Sequence, residues 1–184
     1  MTPAPISSDF DVVVLGGGPG GERAAIQAAK AQKRVALVER ASVVGGTRVN
    51  WGTIPSKTLR ESALFFLGMT RHRLHGFQTE VTDDVTVADF MYRERLVVQR
   101  ELELINASLG RYRIEVFRGH GRFLDAHHVE VALTSGQGRA TTGEKKVVKF
   151  RKAIIAAGSQ SVALPFMPDD PRVVDSTGAL ELAS

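Results

Sequence analysis

The sequence predicts an α/β fold built around a parallel sheet, and three observations predict it. A continuous β-branched run, Asp11-Val12-Val13-Val14-Leu15, reads as a strand buried on both faces. A glycine-rich turn from Gly16 to Gly21 leads out of it into a stretch rich in Ala, Gln and Lys. A second run, Arg34 to Arg40, supplies the next strand. Strand, helix and strand in so short a span imply a right-handed crossover between parallel strands, the building block of a Rossmann-like sheet.

The elements follow in order. The helix after the turn is expected over Glu22–Lys33, with Ala25, Ile26, Ala29 and Lys30 at helical spacing. Gly45-Gly46-Thr47 reads as the start of a loop. Pro55 suits the first turn of a second helix, where its missing N–H is no loss. That helix should run to about residue 73, with Leu59, Ala63, Phe66 and Leu67 on its apolar face and Phe65 also in the core. Residues 75–85 break the pattern. Thr86 and Asp89 form a capping box for a long third helix that reaches Gly110. Its apolar positions are Val87, Phe90, Met91, Val98, Leu102, Ile105 and Leu109.

The remainder turns to β-structure. Ile114–Phe117, Val129–Leu133 and Val147–Phe150 read as short strands of a small antiparallel β-meander, with turn-rich residues from Thr134 to Gly143 between the last two. Lys152–Ala157 reads as another buried strand, and residues from Pro165 to Pro171 as a loop. The expected architecture is thus a Rossmann-like parallel sheet carrying an inserted helix pair and a β-meander.

Composition narrows the function. The chain has 184 residues, 43% of them hydrophobic and 24% charged, which suits one soluble domain. It has no cysteine, which excludes disulfides, thiolate metal sites and thiol catalysis on this chain. The net charge of +4 is mild. Lys145, Lys146, Lys149, Arg151 and Lys152 cluster without interleaved aromatics, as on a solvated strand edge, and no nucleic-acid partner is expected. No apolar run approaches a membrane span, and the N-terminus does not resemble a signal peptide, so the expected location is the cytoplasm. His72, His75, His120, His127 and His128 show no metal-ligand spacing, and no metal is expected.

Gly16, Gly18 and Gly21 form a G-x-G-x-x-G between a strand and a helix, and Glu39 follows Gly21 by about 20 residues at the end of the second strand. Gly16 permits the tight turn, Gly18 lets a pyrophosphate approach the backbone, and Gly21 lets helix and sheet pack closely. The helix N-terminus presents free N–H groups to the phosphates. Glu39 is placed to accept hydrogen bonds from ribose hydroxyls and to repel a 2′-phosphate. This motif alone does not settle which dinucleotide binds.

A second motif does. Residues Gly45-Gly46-Thr47-Arg48-Val49-Asn50-Trp51-Gly52-Thr53-Ile54-Pro55-Ser56-Lys57 resemble the active-site segment of the flavoprotein pyridine nucleotide-disulfide oxidoreductases, Gly-Gly-Thr-Cys-x-Asn-x-Gly-Cys-x-Pro-Ser-Lys. The resemblance implies that the dinucleotide is FAD. The family's two redox cysteines fall on Arg48 and Thr53, so a redox disulfide is excluded. Within the family, Trp51 to Arg60 looks most like the soluble pyridine nucleotide transhydrogenases, which move hydride between NADPH and NAD through FAD alone. Gly119-His120-Gly121-Arg122-Phe123 resembles the segment bordering the adenine, and Ala156-Ala157-Gly158-Ser159 the strand end that closes the FAD half.

The resemblance implies a cofactor-binding set of Gly16, Gly18, Pro19, Gly20, Gly21, Glu39, Arg40, Gly45, Gly46, Thr47, Gly52, Thr53, Lys57, His120, Gly121, Ala157 and Gly158. Lys57 and Thr53 are the implied catalytic residues. Lys57 would stabilise charge on the reduced flavin, or else pair with Glu61 on the helix surface. Thr53 would face the flavin, or else cap the helix before Pro55. Arg48 would point to solvent, or else place a cation near the flavin.

The implied organisation is a lead over residues 1–10, an FAD-binding domain over 11–164, and a crossover over 165–184 toward an NAD(P)-binding domain. That domain and the family's dimerisation domain are missing from this sequence, so it reads either as a fragment or as one partner of a second polypeptide. Complete family members are homodimers. NAD(P) would then be needed only in the complete enzyme. Three other readings stay open: a dihydrolipoamide dehydrogenase-like paralogue without redox cysteines, a non-catalytic FAD- or nucleotide-binding subunit, and an NAD-dependent Rossmann dehydrogenase.

Overall fold

In a computed structural model, which describes residues 7–71, 85–134, 141–162, 164–166, 168, 170 and 172–180, the β-branched run becomes strand β1, Ser7–Leu15. It leads into α1, Pro19–Lys30, and β2, Val35–Glu39. Then come α2, Gly46–Asn50, α3, Thr53–Arg71, and the long α4, Val87–Arg111. Strands β3, Glu115–Phe123, β4, His128–Thr134, and β5, Thr141–Ile155, precede a short α5, Ser176–Leu180. The expected break over residues 75–84, His72 and His75, and most of the turn after Thr134 lie outside the described residues, as do residues 1–6 and 181–184.

The chain divides into two units: residues 1–46 with 102–160, and residues 47–101 with 161–184. The first unit is α/β with a parallel-rich sheet. β1 pairs in parallel with β2 on one side and with β5 on the other, and β2 pairs in parallel with β3. β3–β4 and β4–β5 are antiparallel, so the five strands close into one barrel. Its interior holds Phe10, Val13, Ala36, Val38, Phe117, Val129, Val131, Val148 and Phe150. Phe10 and Phe117 meet edge to face with ring centroids 6.0 Å apart. Each buried Val or Phe side chain stabilises the barrel by about 1.5–3 kcal/mol.

Several boundaries move. The helix α1 starts at Pro19 rather than Glu22, because proline's fixed φ suits the first helical position. It ends at Lys30, not Lys33, in a Schellman motif: Lys33 N–H donates to Ala28 O at 3.1 Å and Gln32 N–H to Ala29 O at 2.9 Å. Gln32 takes the left-handed conformation there, with φ +59°. α4 ends the same way, with Arg113 at φ +53° and Ile114 N–H on Leu109 O at 3.0 Å. The segment after Gly45 is a short helix instead of a loop.

The two expected strands around Phe150 are one strand, β5, bonded to β4 and to β1. The lysine cluster therefore sits on a strand paired on both sides rather than on an edge. Lys145 reaches Glu130 at 3.2 Å, Lys146 reaches Glu115 at 3.6 Å, and Arg151 approaches Asp11 at 3.8 Å. The Lys145 ammonium, with Arg122, holds the Glu130 carboxyl below the usual carboxylate range. The last turn of β5 is not buried: Ile154 and Ile155 are 37% and 69% exposed.

In the second unit, the capping box forms as expected. Thr86 N–H donates to Asp89 Oδ2 at 2.9 Å, and Asp89 N–H to Thr86 Oγ1 at 3.2 Å. Phe66 on α3 meets Phe90 on α4 at 6.0 Å between centroids. One turn before Phe66 on α3 and one turn after Phe90 on α4, Ser62 and Glu94 are buried. Phe65, Leu67 and Val87, expected in the core, are exposed.

Candidate functional site

The site is assembled at the carboxyl ends of the parallel strands. At the end of β1, Gly16 takes φ +106°, a conformation that side chains rarely adopt, and a Cβ there would collide with the Ala156 carbonyl at the end of β5. Gly16 N–H donates to Val38 O, and Ala156 N–H to Leu15 O, each at 2.8 Å, so the turn is bonded to both neighbouring strands. At Gly21 a Cβ would collide with the Gly16 carbonyl, so the start of α1 lies directly against the turn. Gly18 is the N-cap of α1 and Pro19 its first residue. The N–H groups of exposed Gly20 and buried Gly21 come before the first intrahelical bond, Glu22 N–H to Gly18 O at 2.8 Å.

A second turn packs on the first. Gly45 N–H donates to Gly17 O at 2.8 Å. Gly46 has φ +54°, and a Cβ on it would sit 2.7 Å from Gly18 Cα. The Gly-Gly pair of the second motif is thus held in backbone contact with the first motif, which no local propensity signals. Together the two turns leave a cradle of backbone with no side chain projecting from Gly16, Gly18 or Gly46. A pyrophosphate needs that kind of close approach, and these residues fit one.

Glu39 does something the sequence does not reveal. The residue is only 7% exposed. Oε2 accepts Gly17 N–H at 2.6 Å, and Oε1 accepts Ala41 N–H at 2.8 Å. The carboxylate therefore ties the glycine turn to the end of β2. Each oxygen retains acceptor capacity for one more donor.

The position paired with Glu39 across β2–β3 is Arg118. Burial pulls its guanidinium below the ordinary arginine range, and the Glu39 charge opposes that shift. Its Nη1 is buried without a hydrogen-bond partner among the described residues. Sequence reasoning passed over Arg118, since an arginine between Phe117 and Gly119 reads as an outward strand residue.

The other expected residues of this unit lie at the same strand ends. Arg40 is exposed just after β2. His120 is exposed on β3, and a Cβ on Gly121 would be a tight fit, 3.2 Å from Val38 Cγ1 and 3.3 Å from Leu15 Cδ2. Ala157 and Gly158 are exposed just beyond β5, with Gly158 at φ +76°.

Thr47, Gly52, Thr53 and Lys57 belong to the second unit. Thr53 opens α3, so Gly52 rather than Thr53 stands before the helix, and its carbonyl accepts Ser56 N–H at 2.9 Å. A Cβ on Gly52 would be 2.9 Å from Thr47 O. Lys57 is exposed on α3, while Glu61 is engaged by Arg60 at 3.3 Å. Arg48 follows neither of its expected readings alone: it is half-buried and its Nη1 is 3.5 Å from Glu101 Oε2 on α4. Of the remaining histidines, His127 Nδ1 meets Phe150 O at 3.2 Å, and His128 Nδ1 meets Asp125 Oδ2 at 2.8 Å.

Comparison with known proteins agrees with this geometry. The family model described as pyridine nucleotide-disulphide oxidoreductase matches residues 10–184. A soluble pyridine nucleotide transhydrogenase of Mycobacterium bovis (strain BCG / Pasteur 1173P2) is 42% identical over 96% of this chain, and one from Colwellia psychrerythraea is 37% identical over the same share. The chain spans 36% of the length of these relatives. Among solved structures, the HOCl-induced flavoprotein disulfide reductase RclA from Escherichia coli, in its Cu(II) complex, superimposes with a TM-score of 0.73 at 27% identity. That match covers 96% of this chain and 35% of the reductase. The glycine turn, the Gly-Gly pair packed on it and the family match lead to one conclusion: the chain belongs to the pyridine nucleotide-disulphide oxidoreductase family.

Proposed function

We propose that this chain, with residues 11–164 as its FAD-binding domain, supplies the FAD site of an oxidoreductase that passes hydride between NADPH and NAD without a redox disulfide. The observation that carries the proposal is the pair of positions Arg48 and Thr53. They stand where the resembled motif has its cysteines, and the chain has no thiol anywhere. The likeness to relatives named soluble pyridine nucleotide transhydrogenase supports the same reading.

FAD, when bound, supplies the two-electron chemistry. The protein supplies position and charge. The cradle of Gly16, Gly18 and Gly46 and the N–H groups of Gly20 and Gly21 would hold the pyrophosphate. Glu39, fixed by Gly17 and Ala41, would use its spare acceptor capacity on the ribose. Lys57 would place an ammonium near the reduced ring, where a fixed positive charge stabilises developing negative charge. The assignments of Lys57 and Thr53 rest on the motif they occupy. NAD(P) and dimer contacts would belong to the complete protein.

The test is a titration of the purified chain with FAD, followed by visible absorbance and flavin fluorescence. Saturable binding with a yellow, perturbed flavin spectrum is expected. A chain that stays colourless in excess FAD refutes the binding proposal. In the complete protein, NADPH-dependent reduction of an NAD analogue without turnover of lipoamide is expected, and lipoamide turnover refutes the disulfide-free reading.

A further inference from the structure

We propose that the pairing of α3 with α4 is a proton-operated latch built from Ser62 and Glu94: the two helices hold together while Glu94 carries a proton and part when it ionises. They meet through Phe66 and Phe90, whose ring centroids are 6.0 Å apart. Helix residues four apart lie on one face. Ser62 therefore shares a face with Phe66, and Glu94 shares a face with Phe90, so each is carried on the side through which the helices meet. Both residues are buried, at 6% and 7% exposure.

Neither polar group is satisfied there. Ser62 Oγ is buried without a hydrogen-bond partner. The Glu94 carboxyl has no hydrogen bond or ion pair among the described residues. Nor does a neighbouring element balance its charge. On α3, Lys57, Arg60 and Glu61 are exposed, and the last two pair with each other at 3.3 Å. The helix α2 reaches α4 two turns further along, where Arg48 engages Glu101 at 3.5 Å. On α4 itself Arg93 and Arg95 are exposed. Burial holds the Glu94 carboxyl above its usual range, and Arg95 opposes that shift without cancelling it.

The chemistry of the two groups gives the latch its direction. A buried carboxylate without a partner is costly, and taking up a proton removes the cost. The protonated group also gains an O–H donor, and the Ser62 hydroxyl has lone pairs to accept it. One hydrogen bond then satisfies both residues. Once ionised, Glu94 has no donor to offer and needs water, which reaches it when the helices part. The closed pair is therefore fully stable below the ordinary glutamate value of about 4.3, and it weakens as pH rises through the raised value of the closed form. The helix released is the one that carries Thr53 and Lys57.

The test is amide hydrogen exchange of the full chain, read by mass spectrometry on peptides from α3 and α4 between about pH 4 and about pH 8. Each rate is divided by the intrinsic chemical rate at that pH, and peptides from β1 and β2 report global unfolding. The opening constant of the helices should climb with pH, by up to about tenfold per pH unit between the open and closed values of Glu94, while the strand peptides stay level. Glu94→Gln cannot ionise and should give a flat profile. Ser62→Ala removes the acceptor and should move the climb to lower pH. A flat profile in the parent overturns the latch, and so does a Glu94→Gln variant that climbs as the parent does. A climb that stays in place in Ser62→Ala overturns the part given to Ser62. If Glu94→Gln does not fold, Glu94→Met, equally unable to ionise, takes its place: a flat profile supports the latch and a parent-like climb overturns it.

Discussion

Replacing Glu39 by glutamine tests whether the carboxylate holds the glycine turn in place before any cofactor arrives. The native carboxylate accepts two backbone N–H groups, from Gly17 at 2.6 Å and from Ala41 at 2.8 Å, at a residue only 7% exposed. Glutamine is the same size but offers one oxygen and one NH2. One of the two N–H groups must then face a donor. A hydrogen bond to a charged group contributes about 1.5–3 kcal/mol, and a buried unsatisfied N–H costs about 1–3 kcal/mol. The variant therefore loses about 2–4 kcal/mol of stability, which for a chain of this size lowers the melting temperature by roughly 5–15 °C. Thermal unfolding followed by circular dichroism, without FAD, reads this directly. Leaving FAD out is essential, because a ligand that binds only the folded state adds its own stabilisation. Glu39→Asp keeps the charge, but its shorter side chain does not span both donors, so it should also melt early. A ligand-free Glu39→Gln chain melting within about 1 °C of the parent would show that the turn needs no tether, and the reasoning would fail.

Three further outcomes are expected. Gly46→Ala forces a side chain into a left-handed conformation and against the Gly18 backbone, so it should lose about 1–3 kcal/mol of stability and most of its FAD affinity, read by unfolding and by fluorescence titration. Burial raises the Glu94 carboxyl above its usual range, so its contribution to stability is fully present below the unfolded-state value of about 4.3 and falls as pH rises through the folded-state value. The melting temperature of Glu94→Gln relative to the parent should therefore rise between about pH 4 and pH 7, and a constant difference across that range would contradict the assignment. Lys57→Ala, made in the complete protein, should leave FAD bound but slow flavin reduction and lower its two-electron potential, measured by stopped-flow absorbance and spectroelectrochemistry; an unchanged potential would remove Lys57 from the flavin's surroundings.

The legible parts of this fold are those where burial writes a simple pattern. β2 is buried along its whole length, so the residues Val35 to Val38 are continuously apolar. The turn after β1 must be glycine because backbone fills the space where a Cβ would be. What stayed hidden depends on partners distant in sequence. Gln32 ends α1 in a conformation usually given to glycine, so the stop at Lys30 was not marked. Residues 46–50 have poor helix propensity, yet Gly45 bonded to Gly17 fixes the entry of α2. Arg151 looks like a break between two strands, but it follows buried Phe150 on one strand with partners on both sides. The apolar run at Ile154 and Ile155 correctly signals a strand but says nothing about whether its surface is covered. Arg48 meets a glutamate 53 positions away, which no local pattern encodes.

The same distinction separates the two halves of the candidate site. The phosphate cradle was readable because its requirement is the absence of side chains, and absence is written as glycine at fixed spacing. The unpartnered Arg118 nitrogen was not readable, because only packing creates that condition. Glu39 joins the two halves. Through Gly17 it restrains the turn that would hold the phosphates, and across the β2–β3 pair its charge opposes the deprotonation that burial favours at Arg118. Neutralising Glu39 would loosen the one and remove the charge that favours the cationic form of the other, a half-buried guanidinium. Glu39→Gln and Arg118→Met should then be non-additive in the thermal stability of the ligand-free chain. If Glu39 and Arg118 acted independently on stability, their effects would simply sum, and a double-mutant cycle distinguishes the two cases.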